Sequence, residues 1–396
     1  MPFNTNKNNW ITKLDLNSNR VVRDLDPIVA EVAPNRAGLF HILYKLGQTE
    51  SGHNPKFEWF EREKYPFKTT ASANATNSAT VISVDEPIFV KNDVIEVQST
   101  LEQMLVKDVD KSAGTITVVR GYRGTTAQAI TTGDYLAEIG NVNPEGGRSV
   151  DMKTNITTNY WNYSQIFKTA MYFTRNTLRL KTETDMDIVN TEIRRASIEH
   201  AEKIERALLK GKRYLDNTNF SEVARSTGGL LEFIQTNIMD ISGSGGNLTQ
   251  DTFDDWIVNQ VLYYKNENAK NLKKIVLVDG LISKALLTWL DDKKQITDPE
   301  WNKYGIKSDV IEYRTPKGTV YIHYSSMLDE FDSLQGTAIA IDPSNIKIKY
   351  IDRTMLKKNI QANDEDAVKH QYLTDCGLKV KAEKTHAILK GVQSFS

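Results

Sequence analysis

The sequence predicts an α+β fold. Three observations carry that reading. Short runs of alternating apolar residues are spread along the chain, one long uninterrupted helical stripe lies near its middle, and strands and helices mix without a regular βαβ repeat. With 396 residues the chain can build two or more cores. Its 26% charged and 39% hydrophobic side chains suit a folded protein rather than a disordered one.

The elements follow in order. Residues 1–50 are rich in Asn, are interrupted by Pro27 and Pro34, and scatter their apolar residues. They read as an extended arm that needs a partner surface to become ordered. Within them, 36-RAGLFHILYKLG-47 is predicted as a short helix that stops at Gly47. In 51–67, Phe57, Trp59 and Phe67 alternate with Lys56, Glu58 and Glu61, the period of a strand. Residues 68–140 form a β unit: DVIEVQS, EQMLVKDVD and GTITVVRGYRG are separated by turns at Lys91-Asn92-Asp93 and Lys111–Gly114. Short strands at near-regular spacing predict a small barrel or sandwich. The segment 141-NVNPEGGRSV-150 is a linker by composition. Residues 151–180 return to an extended pattern through Ile156, Tyr160, Tyr163, Ile166 and Phe167. They are predicted as the second leg of one long hairpin, with the β unit carried between the legs.

From Asp185 to Lys212, Gly211 is the first glycine, and there is no proline. Val189, Ile193, Ala196, His200, Ile204, Ala207 and Leu208 recur at spacings of three and four, one stripe of a helix roughly 40 Å long. Beyond it come 227-TGGLLEFI-234, a flexible tip 242-SGSGGN-247, and a helix over 252–266 started by Thr249. A buried strand 274-KIVLVDG-280, a helix 281-LISKALLTWLDDK-293, and a hairpin over 310–326 turning at Pro316-Lys317-Gly318 follow. The end, 337–352 and 368–392, is mostly β.

Composition excludes several classes. A net charge of −1 argues against a dedicated nucleic-acid binder. The one cysteine, Cys376, allows neither an internal disulfide nor a cysteine zinc site, and fits a reducing compartment. The opening MPFNTNKNNWITKLDL lacks the apolar core of a signal peptide, and no apolar run approaches the ~20 residues of a membrane span. A protein made in and staying in a cytoplasm is expected.

The chemistry-bearing candidates point the same way. The stretch 194-RRASIEHAEKIERALLKG-211 gathers Glu199, Glu202, Glu205 and His200. It has neither Glu-x-x-His nor His-Glu-x-x-His, the spacings that put metal ligands on one helix face. Arg195, Lys203 and Arg206 lie within a turn of the glutamates, so a solvated, ion-paired face is expected, with His200 packed on the apolar stripe. In 118-VVRGYRGTTA-127 the glycines lack a following Gly-Lys-Ser/Thr, and a strand with a tight turn is expected. Cys376 sits in a predicted strand beside an acid, which raises its pKa. The six histidines (41, 53, 200, 323, 370, 386) are scattered, and the pairs Asp254-Asp255 and Asp291-Asp292 fall on helix surfaces. No catalytic residue, metal site or cofactor is predicted, and the chain does not read as an enzyme.

An ordered set of stretches carries a resemblance. They are 48-QTESGHNPKFEWFERE-63, 118-VVRGYRGTTA-127, 160-YWNYSQIFKTAMYFT-174, 202-EKIERALLKGKR-213, 227-TGGLLEFI-234, 274-KIVLVDG-280, 341-IDPSNIKIKYI-351 and 384-KTHAILKGV-392. The chain resembles tailed-bacteriophage major capsid proteins of the HK97 fold, in the branch with a β insertion in the extended loop. The resemblance runs from about residue 48 to the end; residues 1–47 match in character only.

The resemblance implies an N-terminal arm (1–50), extended-loop strands (51–67 and 141–180) and an inserted β domain (68–140). It further implies a peripheral domain (181–246, spine helix 185–213), an axial domain (247–340) and strands returning to the peripheral domain (341–396). The implied function is a structural subunit that self-assembles into pentamers and hexamers of an icosahedral head around the DNA genome. Trp10, Phe57, Trp59, Arg120, Arg123 and Trp161 are the candidate assembly-interface residues. The implied partners are other copies, scaffolding, portal and decoration proteins, and double-stranded DNA by weak non-specific contact, with no membrane. The implied location is the virion, after assembly in the host bacterial cytoplasm.

Some relatives join a lysine and an asparagine covalently between subunits, and many begin with a cleaved scaffolding segment. Here the start reads directly as the arm, which points to a separate scaffold or none. Two alternatives stand beside the capsid reading. One is an encapsulin-like cellular compartment shell. The other is a surface- or carbohydrate-binding protein built on 68–140, a unit without the aromatic cluster that sugar stacking needs.

Overall fold

The computed structural model describes residues 38–147, 149–179, 188–264, 273–290 and 310–396. Most of the arm, with Trp10, lies outside the described residues, as do the predicted helix extensions past 264 and 290. Two compact units divide the chain: Trp59–Tyr160, and the remainder, Met1–Glu58 with Trp161–Ser396. The strands Lys56–Glu61 and Thr158–Tyr163, within which both unit boundaries fall, pair as a two-stranded ribbon.

The smaller unit is a six-stranded sheet in the order Lys68–Thr70, Tyr135–Asn141, Asp93–Val97, Gln103–Asp110, Thr115–Val119, Val81–Ser83. Every pairing is antiparallel. Its two outer strands meet as well: Asp85 N–H donates to Thr70 O at 3.0 Å, Ser72 N–H to Ser83 O at 3.1 Å, and Ala71 bridges Val84. The sheet therefore closes into a barrel, which removes the edges an open sheet would expose. Alternate residues fill its interior, among them Ile82, Ile95, Val97, Met104, Val106, Ile116, Val118 and Leu136. The period-2 pattern in the sequence is this inside–outside alternation.

The larger unit holds two principal sheets. The first runs Thr49–Ser51, Ile346–Lys357, Ala367–Val380, Gln165–Thr174, with its first pair parallel and the others antiparallel. Its 10-residue strand Gln165–Thr174 alternates strictly between buried and outward positions. The long helix Ile188–Lys210 lies against this sheet. At 23 residues it is about 34 Å long. Ala196, Val189 and Ile193 pack with Met171, Phe173 and Tyr372, while Ile204, Leu208 and Leu209 join Phe167, Ile348, Tyr350 and Leu378. The helix stops where Gly211 threads between two carbonyls: a Cβ there would stand 2.4 Å from Ala207 O and from Thr227 O.

The second sheet has six strands: Ile238–Asp240, Ala387–Lys390, Ala338–Ile341, Lys273–Val278, Gly318–Tyr324, Val310–Thr315. Both of its faces are covered. Ile275, Leu277, Ile339, Ile341 and Ile388 enter the core shared with the long helix. Val276, Val278, Ala338, Ala340 and Leu389 face Phe253, Trp256, Ile282 and Leu286 on the other side. Two-sided burial is why 274-KIVLVDG-280 reads as a continuous apolar run. The helix Gln250–Trp256 starts at Thr249, whose Oγ1 accepts Thr252 N–H at 3.2 Å, and it passes into a π-turn at Ile257–Val261.

Two expectations change. The 242–247 tip is a pinned turn rather than a free one: Asp240 Oδ1 accepts Ser242 N–H and Oγ–H at 3.0 and 2.6 Å, and Gly246 N–H reaches Ile241 O at 3.0 Å. Of the predicted extended leg 151–180, strands occupy Thr158–Tyr163 and Gln165–Thr174, followed by a short helix, Arg175–Arg179.

Candidate assembly surface

On the strand Lys56–Glu61 the odd-numbered side chains Phe57 and Trp59 turn inward, 4% and 5% exposed. Phe57 lies under the Lys349 ammonium, 5.5 Å from its ring, and against Gly377. Trp59 stacks on Tyr160 at 6.3 Å, and its indole N–H donates to Glu61 Oε1 at 2.7 Å. Burial commits both rings inside the chain.

Trp161 is half-buried and carries two cations: Lys56 Nζ lies 5.2 Å and the Arg213 guanidinium 4.8 Å from its ring. Arg213 also covers Phe233 at 5.0 Å and pairs with Glu232 at 2.7 Å. Each such contact contributes about 0.5–2 kcal/mol, so the stack is a structural clamp with one open side.

In the barrel, Arg120 is not a free basic side chain. Its Nε–H and one amino group donate to the two Glu102 carboxylate oxygens, each at 2.8 Å. Its remaining donors reach Thr76 O, Ala79 O and Gln128 O. Glu102 also accepts Gly121 N–H at 3.1 Å and Gln128 N–H at 3.0 Å. Burial pushes the Glu102 carboxyl up, but the Arg120 fork and the backbone N–H groups outweigh it, and its pKa falls below the ordinary value. Arg123 is the outward one. It is exposed, with φ +60°, between Gly121 and Gly124, which also have positive φ.

The charged stretch of the long helix is only in part the solvated face the sequence predicts. Glu199 pairs with Lys203 at 2.7 Å and Glu192 with Arg195 at 2.6 Å, on exposed side chains. Glu205, however, is 4% exposed. Its carboxylate accepts Leu39 N–H at 2.6 Å and Phe40 N–H at 2.5 Å, fixing the start of the helix Leu39–Lys45. Burial pushes its pKa up to about 7, against those two hydrogen bonds. His200 sits where the stripe predicts, between Thr169 Oγ1 at 3.1 Å and Thr374 Oγ1 at 2.7 Å; burial first, then Lys203, lowers its pKa. Burial raises the Cys376 thiol, so it is no nucleophile. Among the described residues no group of three His, Cys, Asp or Glu side chains is placed to hold a metal ion.

What remains outward is apolar. Phe60 (70% exposed), Met152 (79%) and Ile156 (87%) project from the segments on either side of the barrel. Tyr214, Phe220 and Val223 project from the small hairpin Tyr214–Ser226. Sequence reasoning passed over them because strand alternation was read for what it buries, and Phe60 is the even-numbered neighbour of two buried aromatics.

The family model for the SU10 major capsid protein matches residues 3–393. The chain belongs to the SU10 major capsid protein family. It is a structural capsid subunit, not an enzyme, and its place is in the virion. Among solved structures, a chain from Mycobacterium phage Ogopogo is similar over 96% of this chain and 99% of that one, at 11% identity and a TM-score of 0.50. That likeness shows a shared fold, the HK97-like capsid architecture. A chain from Gordonia phage Cozz (11% identity, 96% and 92% covered, TM-score 0.45) is also similar. So is the SrpI encapsulin of Synechococcus elongatus PCC 7942 (13%, 62% and 80%, 0.38). No curated protein matches the chain in sequence.

Proposed function

We propose that this subunit closes with copies of itself into pentamers and hexamers of an icosahedral phage head that encloses double-stranded DNA. The family match over residues 3–393 carries the reading. The outward Phe60, Met152 and Ile156 support it, because a monomer gains nothing by exposing them.

In this reading the long helix is the spine of a peripheral domain, the sheet centred on Lys273–Val278 belongs to the axial domain, and the barrel is the insertion in the extended loop. Trp161 and Arg123 remain interface candidates, with Trp10 on the arm. Phe57, Trp59 and Arg120 support the interface from inside. A net charge of −1 lets subunits pack around a polyanion with only weak contact to it. Assembly takes place in the host bacterial cytoplasm, with scaffolding, portal and decoration proteins as further partners.

The test is negative-stain microscopy and sedimentation of the purified full chain. Closed particles, or pentamers and hexamers, are expected. A subunit that stays monomeric at high concentration, with and without a co-expressed scaffold, overturns the reading.

A further inference from the structure

The core of the larger unit contains a buried carboxylate, Glu205, that no cation among the described residues pairs with. Glu205 lines a cleft of about 180 Å³ between the helix Leu39–Lys45, the long helix and the segment Ser325–Met327. Phe40, Ile198, Ala201 and Met327 form its walls. Glu202 and His41 also line it. Burial, reinforced by Lys45, lowers the His41 pKa and disfavours its cationic form, so that ring does not supply the missing positive charge. Ser325 supplies an independent sign. It lines the same cleft, is 1% exposed, and its Oγ has no hydrogen-bond partner among the described residues. Buried polar groups are rarely left so, and each calls for an explanation.

We propose that this cleft is a socket for one basic side chain, an arginine, from a second copy of this chain. The proposal rests on the capsid reading, which surrounds each subunit with copies. Three features favour this occupant. The two Glu205 oxygens each accept one backbone N–H, to Leu39 and Phe40, and each keeps a further lone pair, the acceptor pattern a guanidinium fork matches. Ser325 Oγ offers one more acceptor. The walls are apolar, which suits an aliphatic stem beneath a charged head. The volume is below the ~300–1,000 Å³ of small-molecule sites and suits a single side chain. Ile198 at the mouth is 49% exposed, so the socket opens at the surface.

The experiment is an electron cryomicroscopy map of assembled particles of the full chain, with assembly yield measured alongside for two variants. The map is expected to show a guanidinium from a neighbouring copy within about 4 Å of Glu205. Ala201→Phe plugs the cleft without touching a carboxylate, and Glu202→Lys puts a competing cation into its lining. Both are expected to cut the assembled fraction about tenfold at equal subunit concentration, with circular dichroism of the subunit unchanged. A map with only solvent or an apolar side chain in the cleft overturns the socket, and so does wild-type yield for both variants. Failure to form particles at all overturns the capsid reading and the socket with it, whereas particles with an empty cleft overturn the socket alone.

Discussion

Two buried glutamates divide this molecule. Glu102 in the barrel and Glu205 on the long helix are both almost free of solvent. Both accept two backbone N–H groups. Glu102 also receives the full fork of Arg120, and its pKa is lowered; Glu205 has no such partner among the described residues, and its pKa is raised to about 7. The same residue type, equally buried, is stabilised as an anion in one unit and left under-compensated in the other. In the barrel Glu102 finds its cation within the same unit, and the outer strands close on each other. In the unit built on the long helix, the described residues leave Glu205 with two backbone hydrogen bonds and no cation, the feature on which the proposed socket rests.

The largest effect should come from removing the partner that Glu205 lacks and Glu102 has. Arg120→Met leaves Glu102 as an uncompensated buried charge and orphans the carbonyls of Thr76, Ala79 and Gln128. A loss of about 3–5 kcal/mol is expected in urea unfolding followed by a barrel-specific probe. Adding Glu102→Leu should recover only part of it, since Gly121 and Gln128 N–H groups then lose their acceptor. A cost under ~1 kcal/mol for Arg120→Met would show the barrel tolerates a lone charge and would erase the contrast.

The second effect is a pH dependence that only Glu205 should produce. Its folded pKa, about 7, lies above the ordinary 4.5. The folded state therefore holds the proton more tightly. The resulting stabilisation is fully present below about 4.5 and is lost as pH rises through about 7. Between pH 5 and pH 8 the isolated subunit should lose roughly 2–3 kcal/mol more than Glu205→Gln, read from paired urea titrations. A cation in the socket would pull the pKa back down, so the same difference should shrink in assembled particles. Equal pH profiles for wild type and Glu205→Gln would break the comparison.

The sequence makes the sheet faces legible and leaves the environments of both glutamates hidden. Sheet faces came through because alternation is local: Ile275 and Leu277 face one way, Val276 and Val278 the other, within one strand. The spine stripe came through for the same reason. Glu205 was read as solvated from its charged neighbours, yet it precedes the buried Leu208 and Leu209 by three and four residues, the spacing of one helix face. That signal was present, but the reason for the burial was not. It is the segment Gly38–Phe40, 165 residues away in sequence for the Phe40 contact. Arg120 reads from the sequence as an interface candidate because its partner Glu102 stands 18 residues earlier. Barrel closure was open for a similar reason, since it rests on the non-local Thr70–Asp85 pairing.

A smaller effect sharpens the Glu205 side of the contrast. Gly38 has an ordinary extended backbone, φ −105° and ψ −179°, that any residue adopts. An added Cβ would stand 2.4 Å from Glu205 Oε1. Gly38→Ala should therefore cost about 1–3 kcal/mol by collision alone. The cost should largely vanish in a Glu205→Ala background, a non-additivity a double-mutant cycle measures.

The smallest effect belongs to the exposed glutamate on the same helix. Glu199 meets Lys203 at 2.7 Å, with side chains 56% and 38% exposed. Such a pair exchanges water for a partner at little net gain, so Glu199→Ala should cost the isolated subunit no more than ~0.5 kcal/mol. High salt should reduce even that, because screening acts on exposed charges. The thermal midpoint at low and high salt is the measurement. Should the substitution leave the subunit's midpoint unmoved yet lower the assembled fraction, this helix face is covered in the shell, and solvation in the free subunit is not its final environment. Unchanged assembly would leave Glu205, rather than the helix's charge as a whole, as the group that neighbours complete.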